Sequence, residues 1–243
     1  MKSDVKNNVE NLVDIFKGLT PDKINNVVSL AKEQRIKKNE LDALFDAQVR
    51  VLGTRGCPER VMELFKQAQT RVVTKALKME IEKNHIPFLP VITRNYITVF
   101  SQMRMVLNKN VAGRNSIYRD NATPANPFRD LVKIPKEPYY IFNVENGTST
   151  KNGGPNKDEI KEQVAKHGYV CLTGIEIIAL AVHSDVLSKH NILGMNSFCN
   201  EWGVAVPYLF ISTTGQPVLR YTYNLSNCDE EYGIPSRDCD VMI

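Results

Sequence analysis

The sequence lacks the features that mark a disulfide-rich, zinc-binding, secreted or membrane protein. Its 243 residues include five cysteines, which are widely spaced and form no C-x-x-C pair and no cysteine–histidine spacing typical of structural zinc. No segment approaches the roughly 18 apolar residues of a membrane span, and the first residues lack the apolar core of a secretory signal. We therefore expect a cytoplasmic protein that binds no structural metal and does not associate with membranes.

An excess of charge of one sign is also lacking. The chain has 31 basic and 27 acidic side chains, which give a formal net charge of +4. Binding to nucleic acid or to an anionic membrane surface usually needs a concentrated basic face, whereas the basic residues here have acidic neighbours. The sequence thus predicts no nucleic-acid partner and no membrane partner.

The chain does have enough apolar residues for a packed core. Apolar residues make up 42% of the sequence, and 243 residues suffice for one or two domains. The pattern changes near residue 85. Residues 1–84 have helical periodicity and no strand-like alternation, whereas residues 85–243 contain both kinds of pattern.

Residues 1–84 are predicted to form four amphipathic helices. The helices are expected to start near Val9, at Pro21 behind the capping residue Thr20, near Leu41, and at Pro58. The last of these would run to about residue 83. Such helices can form a helical domain or dock on a partner, so a homo-oligomer through residues 1–84 is one partner hypothesis.

Residues 85–243 are predicted to form a mixed α+β domain. The segment 85–92 reads as an extended segment, an edge strand or a clip, because each proline in it removes a hydrogen-bond donor. Residues 138–144 read as a buried strand. Thr173 and Glu176 form a capping box, which predicts a helix that starts there.

The C-terminal part of this domain is predicted to contain a β-hairpin. Residues 206–211 are strand-like, and residues 217–225 alternate between apolar and polar positions. Residues 108–137 read as a long loop, which in a compact domain is often functional. The expected fold is therefore an N-terminal helical region followed by an α+β domain with a C-terminal hairpin.

A thiol-dependent enzyme is one functional hypothesis. Cys199 lies among polar neighbours and would be the nucleophile, with His183 as base and Asp185 orienting it. The alternative for such a cysteine is a small buried apolar residue. His183 and His190 are seven residues apart, whereas two metal ligands on a helix are usually three or four apart, so no metal site is expected.

A ligand-binding protein without catalysis is the other hypothesis. Tyr139, His190 and Trp202 are its candidate ligand-binding residues, and the loop 108–137 would frame the pocket. The glycine-containing segments do not match phosphate-loop or dinucleotide spacing, so no cofactor is expected. The partner would be a small molecule or another protein.

Four segments of the second region resemble an uncharacterised bacterial family, filed as a domain of unknown function. The segments are residues 138–147, 171–180, 206–209 and 216–219. The resemblance covers roughly residues 86–225 and implies a shared fold for that region. None of the segments is a catalytic signature, so the resemblance implies no activity. We therefore expect a binding or interaction protein without catalysis, with a thiol-dependent hydrolase or transferase as the alternative.

Overall fold

The protein has an α+β fold. The structure is a computed structural model, and it describes residues 20–117, 128–150, 157–199, 205–222 and 232–243. The predicted first helix near Val9 and the candidate residue Trp202 lie outside these ranges.

The described residues form six α-helices and fourteen short strands. The helices are α1 Pro21–Thr54, α2 Glu59–Gln67, α3 Gln69–Lys78, α4 Val99–Met105, α5 Lys157–Lys166 and α6 Gly174–His183. The longer strands are β1 Ile86–Val91, β6 Tyr139–Val144, β10 Val206–Ile211 and β11 Pro217–Thr222. The shorter ones are β2 Leu107–Asn108, β3 Val111–Ala112, β4 Arg114–Asn115, β5 Arg129–Asp130, β7 Tyr169–Cys171, β8 Asn191–Leu193, β9 Ser197–Phe198, β12 Tyr232–Gly233, β13 Ser236–Asp238 and β14 Val241–Met242.

Helix boundaries in the N-terminal region differ from the predicted ones. The second and third predicted helices form one continuous helix of 34 residues, α1. No glycine or proline interrupts residues 22–52, and the charged residues near position 35 are good helix formers, so the helix continues where its apolar stripe lapses. The predicted last helix starts behind Pro58 as expected but divides at Ala68 into α2 and α3.

Only the C-terminal half of α1 is buried. Val27 is 43% exposed and Leu30 is 59% exposed, whereas Leu41, Phe45 and Leu52 lie in the core. These buried residues belong to the same apolar cluster as the side chains of β1, β6 and α6. One apolar core therefore contains residues from both sides of residue 85, where the sequence pattern changes.

Strand β1 lies at the edge of a three-stranded antiparallel sheet with the order β1, β6, β14. Its two prolines, Pro87 and Pro90, are tolerated there because an edge strand needs hydrogen bonds on one side only. The predicted edge strand is thus confirmed. Strands β10 and β11 form the predicted antiparallel hairpin, which turns at Gly215 with a φ of 80°.

Helix α6 packs between this sheet and the hairpin and also contacts α1 and α4. The predicted capping box opens it. The Glu176 backbone N–H donates to Thr173 Oγ1 at 3.4 Å, and the Thr173 N–H donates to Glu176 Oε2 at 2.8 Å. The helix ends at His183, because the backbone becomes extended at Ser184.

The carboxylate of Glu176 is fully buried and accepts two further hydrogen bonds. The Tyr139 hydroxyl donates to Oε1 at 3.0 Å, and Arg237 Nε donates to the same oxygen at 2.9 Å. Arg237 is also buried, and its Nη1 donates to the carbonyl of Asp238 at 2.7 Å. Helix α6, the central strand β6 and strand β13 thus meet at one charged pair, which we call the Glu176 hub (Thr173, Glu176, Tyr139 and Arg237).

Replacing Glu176 by glutamine is expected to lower the free energy of unfolding by about 3–5 kcal/mol, because Arg237 becomes a buried cation without its counter-charge. Chemical denaturation measures this change. The matched control is Glu63→Gln, which breaks the exposed pair with Lys66 and should cost under about 1 kcal/mol. The double variant Glu176→Leu/Arg237→Met should recover part of the loss. Equal effects of Glu176→Gln and Glu63→Gln would contradict the structural role of the hub.

Candidate functional site

A small, partly open cavity with room for about one water molecule lies beside the edge strand β1, where helices α1, α4 and α6 meet. Its walls are mostly apolar. They are formed by Leu52, Pro90, Ile92, Gln102, Met105, Ile178, Ala179, Val182 and His183. We call this the His183 cavity.

Each wall follows from local sequence. Leu52 is the last buried residue of the apolar stripe of α1, and Ile178 and Val182 are one helical turn apart on α6. Gln102 is held in place by its own amide, because its Nε2 donates to the carbonyls of Ile92 at 3.0 Å and Ile97 at 2.8 Å. The walls are therefore fixed by the secondary structure around them.

The imidazole of His183 is the polar group of the cavity that lacks hydrogen bonds. Both of its ring nitrogens are buried, and neither has a hydrogen-bond partner among the described residues. Burial lowers the pKa of His183 to about 3, with a smaller contribution from the nearby positive charge of Arg55. The ring is therefore neutral at physiological pH and offers one donor and one acceptor, both unused.

Two other buried side chains in the described part of the chain have an unpaired polar atom. These atoms are Gln48 Oε1 and the Tyr140 hydroxyl, and neither residue lines the cavity. Both side chains contact Phe88, Gln48 through a hydrogen bond to the Phe88 carbonyl and Tyr140 through ring packing. His183 differs from them because its side chain lines the cavity.

Arg55 lies next to the cavity, just beyond the end of α1. Its Nη1 donates to the carbonyl of Met105 at 2.6 Å, and Met105 lines the cavity. The side chain is half-buried, burial lowers the pKa of its guanidinium, and no carboxylate among the described residues pairs with it. A positive charge without a counter-charge thus lies close to a neutral imidazole.

The structure does not assemble the predicted thiol site. Cys199 is 5% exposed and does not line the His183 cavity. Asp185 is exposed, and its carboxylate pairs with Lys189 at 2.9 Å, which lowers the pKa of Asp185. His183 therefore has neither the predicted orienting carboxylate nor an exposed thiol beside it, and the thiol hypothesis gains no support.

The predicted ligand-binding residues occupy structural positions instead. Tyr139 is fully buried, and its hydroxyl donates to Glu176 within the hub; burial raises the pKa of Tyr139 well above its usual value. His190 is buried, and its Nε2–H donates to the carbonyl of Asn146 at 2.9 Å. The long loop contains the small β2–β3 hairpin as well as β4 and β5, and its residues 118–127 lie outside the described ranges.

Sequence reasoning found His183 but missed Arg55, Gln102 and Met105. His183 was singled out for a different chemistry, as the base for a thiol. Arg55 follows the end of α1 at Thr54, and nothing in its immediate sequence shows that the end of α4 folds against it. The cavity arises from the packing of three helices that are far apart in the chain.

Within the described residues, no three histidine, cysteine, aspartate or glutamate side chains lie close enough to bind a metal ion together. The described helices also include none with the length and apolar character needed to cross a membrane.

Comparison of the chain with protein-family models, with curated proteins and with solved structures gave no match. The resemblance to an uncharacterised bacterial family over roughly residues 86–225 therefore stays a prediction.

Replacing His183 by leucine is expected to leave the free energy of unfolding unchanged or to raise it by about 1 kcal/mol, because the variant removes buried nitrogens that make no hydrogen bond. Urea denaturation measures the effect. The matched control is His190→Leu, which leaves the Asn146 carbonyl without its donor and should cost about 1–3 kcal/mol. If His183→Leu destabilises as much as His190→Leu, the imidazole of His183 has a structural role and the assignment of the site is wrong.

Proposed function

We propose that this protein binds a small molecule in the His183 cavity and carries out no chemistry on it. The observation that supports this most directly is the neutral imidazole with two unpaired ring nitrogens at the cavity wall. The cytoplasmic location expected from the sequence belongs to the same proposal.

The free energy of the unpaired nitrogens favours a bound partner. A buried donor or acceptor that makes no hydrogen bond costs about 1–3 kcal/mol relative to its hydrated state. A ligand with one polar group can donate to one ring nitrogen or accept from the other. The hydrogen bond to the ligand removes the free-energy cost of the unpaired nitrogen, and this difference adds to the binding affinity.

The walls of the cavity define the rest of the ligand. The side chains of Leu52, Ile178 and Val182 would contact an apolar body. The cavity has room for about one water molecule, far below the range of roughly 300–1,000 Å³ that is usual for drug-sized molecules, so a ligand would place one small group inside it and the rest at its open side. The proposed ligand is therefore a molecule of only a few carbon atoms.

Binding without catalysis is favoured over the thiol enzyme because of what surrounds His183. A general base works on a nucleophile or substrate proton within hydrogen-bond reach. Cys199 is buried and does not line the cavity, Asp185 pairs with Lys189, and His183 is the only titratable residue that lines the cavity in the described part of the chain.

The test is an NMR titration of ring ¹⁵N resonances with 3-methylbutan-1-ol as probe. The chain has four histidines, and the variant His183→Gln identifies the resonances of His183 by their loss. We expect the alcohol to shift the His183 resonances saturably, because its hydroxyl pairs with the ring. The exposed His167 and the buried His190 serve as internal controls and should not shift. Unchanged His183 resonances, or equal shifts of all histidines, would refute the proposal.

Self-association through residues 1–84 stays a second proposal, with a second copy of the chain as the partner. Val27 and Leu30 are exposed on the same face of α1 that is buried further along the helix. Asp22 lies near one end of this exposed half and Lys37 near the other, so an antiparallel pair of α1 helices would place opposite charges together.

Sedimentation velocity tests this second proposal. A concentration-dependent dimer is expected for the wild type, and Leu30→Glu should abolish it by placing a charge in the contact. The control is Lys32→Glu, which changes a charge on the same helix and should reduce dimerisation less. A wild type that stays monomeric at all concentrations would refute self-association without bearing on the His183 cavity.

A further inference from the structure

A second polar site lies just before strand β1, and it is built around the side chain of Asn143. Asn143 is buried within strand β6 and has a φ of 50°, in the left-handed region that non-glycine residues seldom adopt. Its Oδ1 accepts from the backbone N–H of Glu82 at 3.3 Å and lies 2.9 Å from His85 Nδ1. Its Nδ2 donates to the Tyr169 hydroxyl at 3.0 Å. We call these four residues the Asn143 cluster.

The contacts of Asn143 determine which nitrogen of His85 carries a proton. The backbone N–H of Glu82 can only donate, so the Asn143 atom that it contacts is the oxygen. An amide oxygen can only accept, so His85 Nδ1 donates to it. In the neutral ring the other nitrogen, Nε2, is therefore an acceptor.

Two hydrogen-bond acceptors consequently face each other. His85 Nε2 lies 3.7 Å from Glu82 Oε2, and a carboxylate oxygen can only accept. The second oxygen of Glu82 already accepts from the Tyr169 hydroxyl. The side chain of His85 is only 10% exposed, and its Nε2 makes no hydrogen bond with any described residue. A group with two N–H donors, placed beside both atoms, would pair with both.

The charges around the cluster favour a cation as this donor. The side chain of Glu82 is 57% exposed, and Asp238 lies opposite Tyr169 in the antiparallel pair of β7 and β13. Among the described residues, no lysine or arginine forms an ion pair with either carboxylate. A metal ion would lack ligands here, because no three metal-binding side chains of the described ranges lie together. A primary ammonium group is a compact charge with three N–H donors.

We infer that the Asn143 cluster binds a primary ammonium group, which donates to His85 Nε2 and to Glu82 Oε2 at the same time. Asn143 is the positioning residue, since it holds the His85 ring with Nε2 free to accept. A free amine and a lysine side chain of another protein both carry this group. The site is separate from the proposed function, because none of its residues lines the His183 cavity.

The test is an NMR titration of the His85 ring ¹⁵N resonances with methylammonium chloride at pH 8. Tetramethylammonium chloride is withdrawn as methylammonium is added, so that ionic strength and charge stay constant and only the N–H donors change. His85→Gln identifies the resonances by their loss. We expect a saturable shift of Nε2 with a dissociation constant of about 10 mM, near the limit for a ligand of two non-hydrogen atoms. His190, whose Nε2 already donates to the Asn146 carbonyl, should not shift.

Glu82→Gln tests the role of the charge at an exposed position. The variant keeps an acceptor but removes the negative charge, so the dissociation constant of methylammonium should rise at least about threefold. The control Glu80→Gln removes another exposed carboxylate two residues away and should change the constant less than about twofold.

Two larger probes distinguish the sources of the ammonium group. Tighter binding of Nα-acetyl-lysine methylamide than of butan-1-ammonium would assign a lysine of another protein, and the reverse order would assign a free amine. Three results would overturn the inference: a proton on His85 Nε2 in the ligand-free protein at pH 8, no saturable shift with methylammonium, or equal effects of Glu82→Gln and Glu80→Gln. None of them bears on the His183 cavity.

Discussion

The course of helix α6 depends on the buried carboxylate of Glu176. This one group caps the first turn of the helix through Thr173, accepts from Tyr139 of the central strand, and pairs with Arg237 near the C-terminus. These contacts join segments that are distant in sequence, and each polar partner is itself buried. Because the N-terminal end of α6 is fixed in this way, its C-terminal end, about 10 Å further along the axis, is fixed at the edge of β1.

The two ends of α6 differ in how their polar groups are satisfied. At the Glu176 hub, opposite charges and donors and acceptors are matched, which is the condition under which buried charges are tolerated. At the other end, both ring nitrogens of His183 are buried and unpaired, and the Arg55 guanidinium pairs with no carboxylate among the described residues. Proteins commonly accept such local costs at functional sites and offset them elsewhere in the fold. The Glu176 hub fixes one end of α6 and thereby holds His183, at the other end, in its position at the cavity. This is the physical basis of the proposed binding site.

Local patterns in the sequence predicted several elements correctly. The Thr173–Glu176 capping box, the prolines of β1 and the alternation in β11 each act over a few residues, and the structure has the helix, the edge strand and the hairpin that they predict. The continuity of α1 was missed because its exposed half follows from helix propensity and has no buried face to reveal it.

Most of the candidate site could not be predicted from the sequence, since it depends on contacts between segments that are distant along the chain. Tyr139 and His190 looked suited to ligand binding by residue type, but their partners, Glu176 and the Asn146 carbonyl, are 37 and 44 residues away along the chain. Arg55 gained its place through a contact with Met105, 50 residues later. His183 was recognisable as a candidate, whereas its isolation from hydrogen-bond partners appears only once α1, α4 and α6 are packed.

The most direct test of this account is a pH titration of the His183 ring ¹⁵N resonances in the ligand-free protein. With a pKa lowered to about 3, the ring of His183 should stay neutral from about pH 7 to about pH 5, whereas the pKa of an unperturbed imidazole is about 6.5. His183 resonances that titrate with a midpoint of about 6.5 would show that the imidazole is hydrated. That result would contradict the buried, unpartnered imidazole on which the account rests.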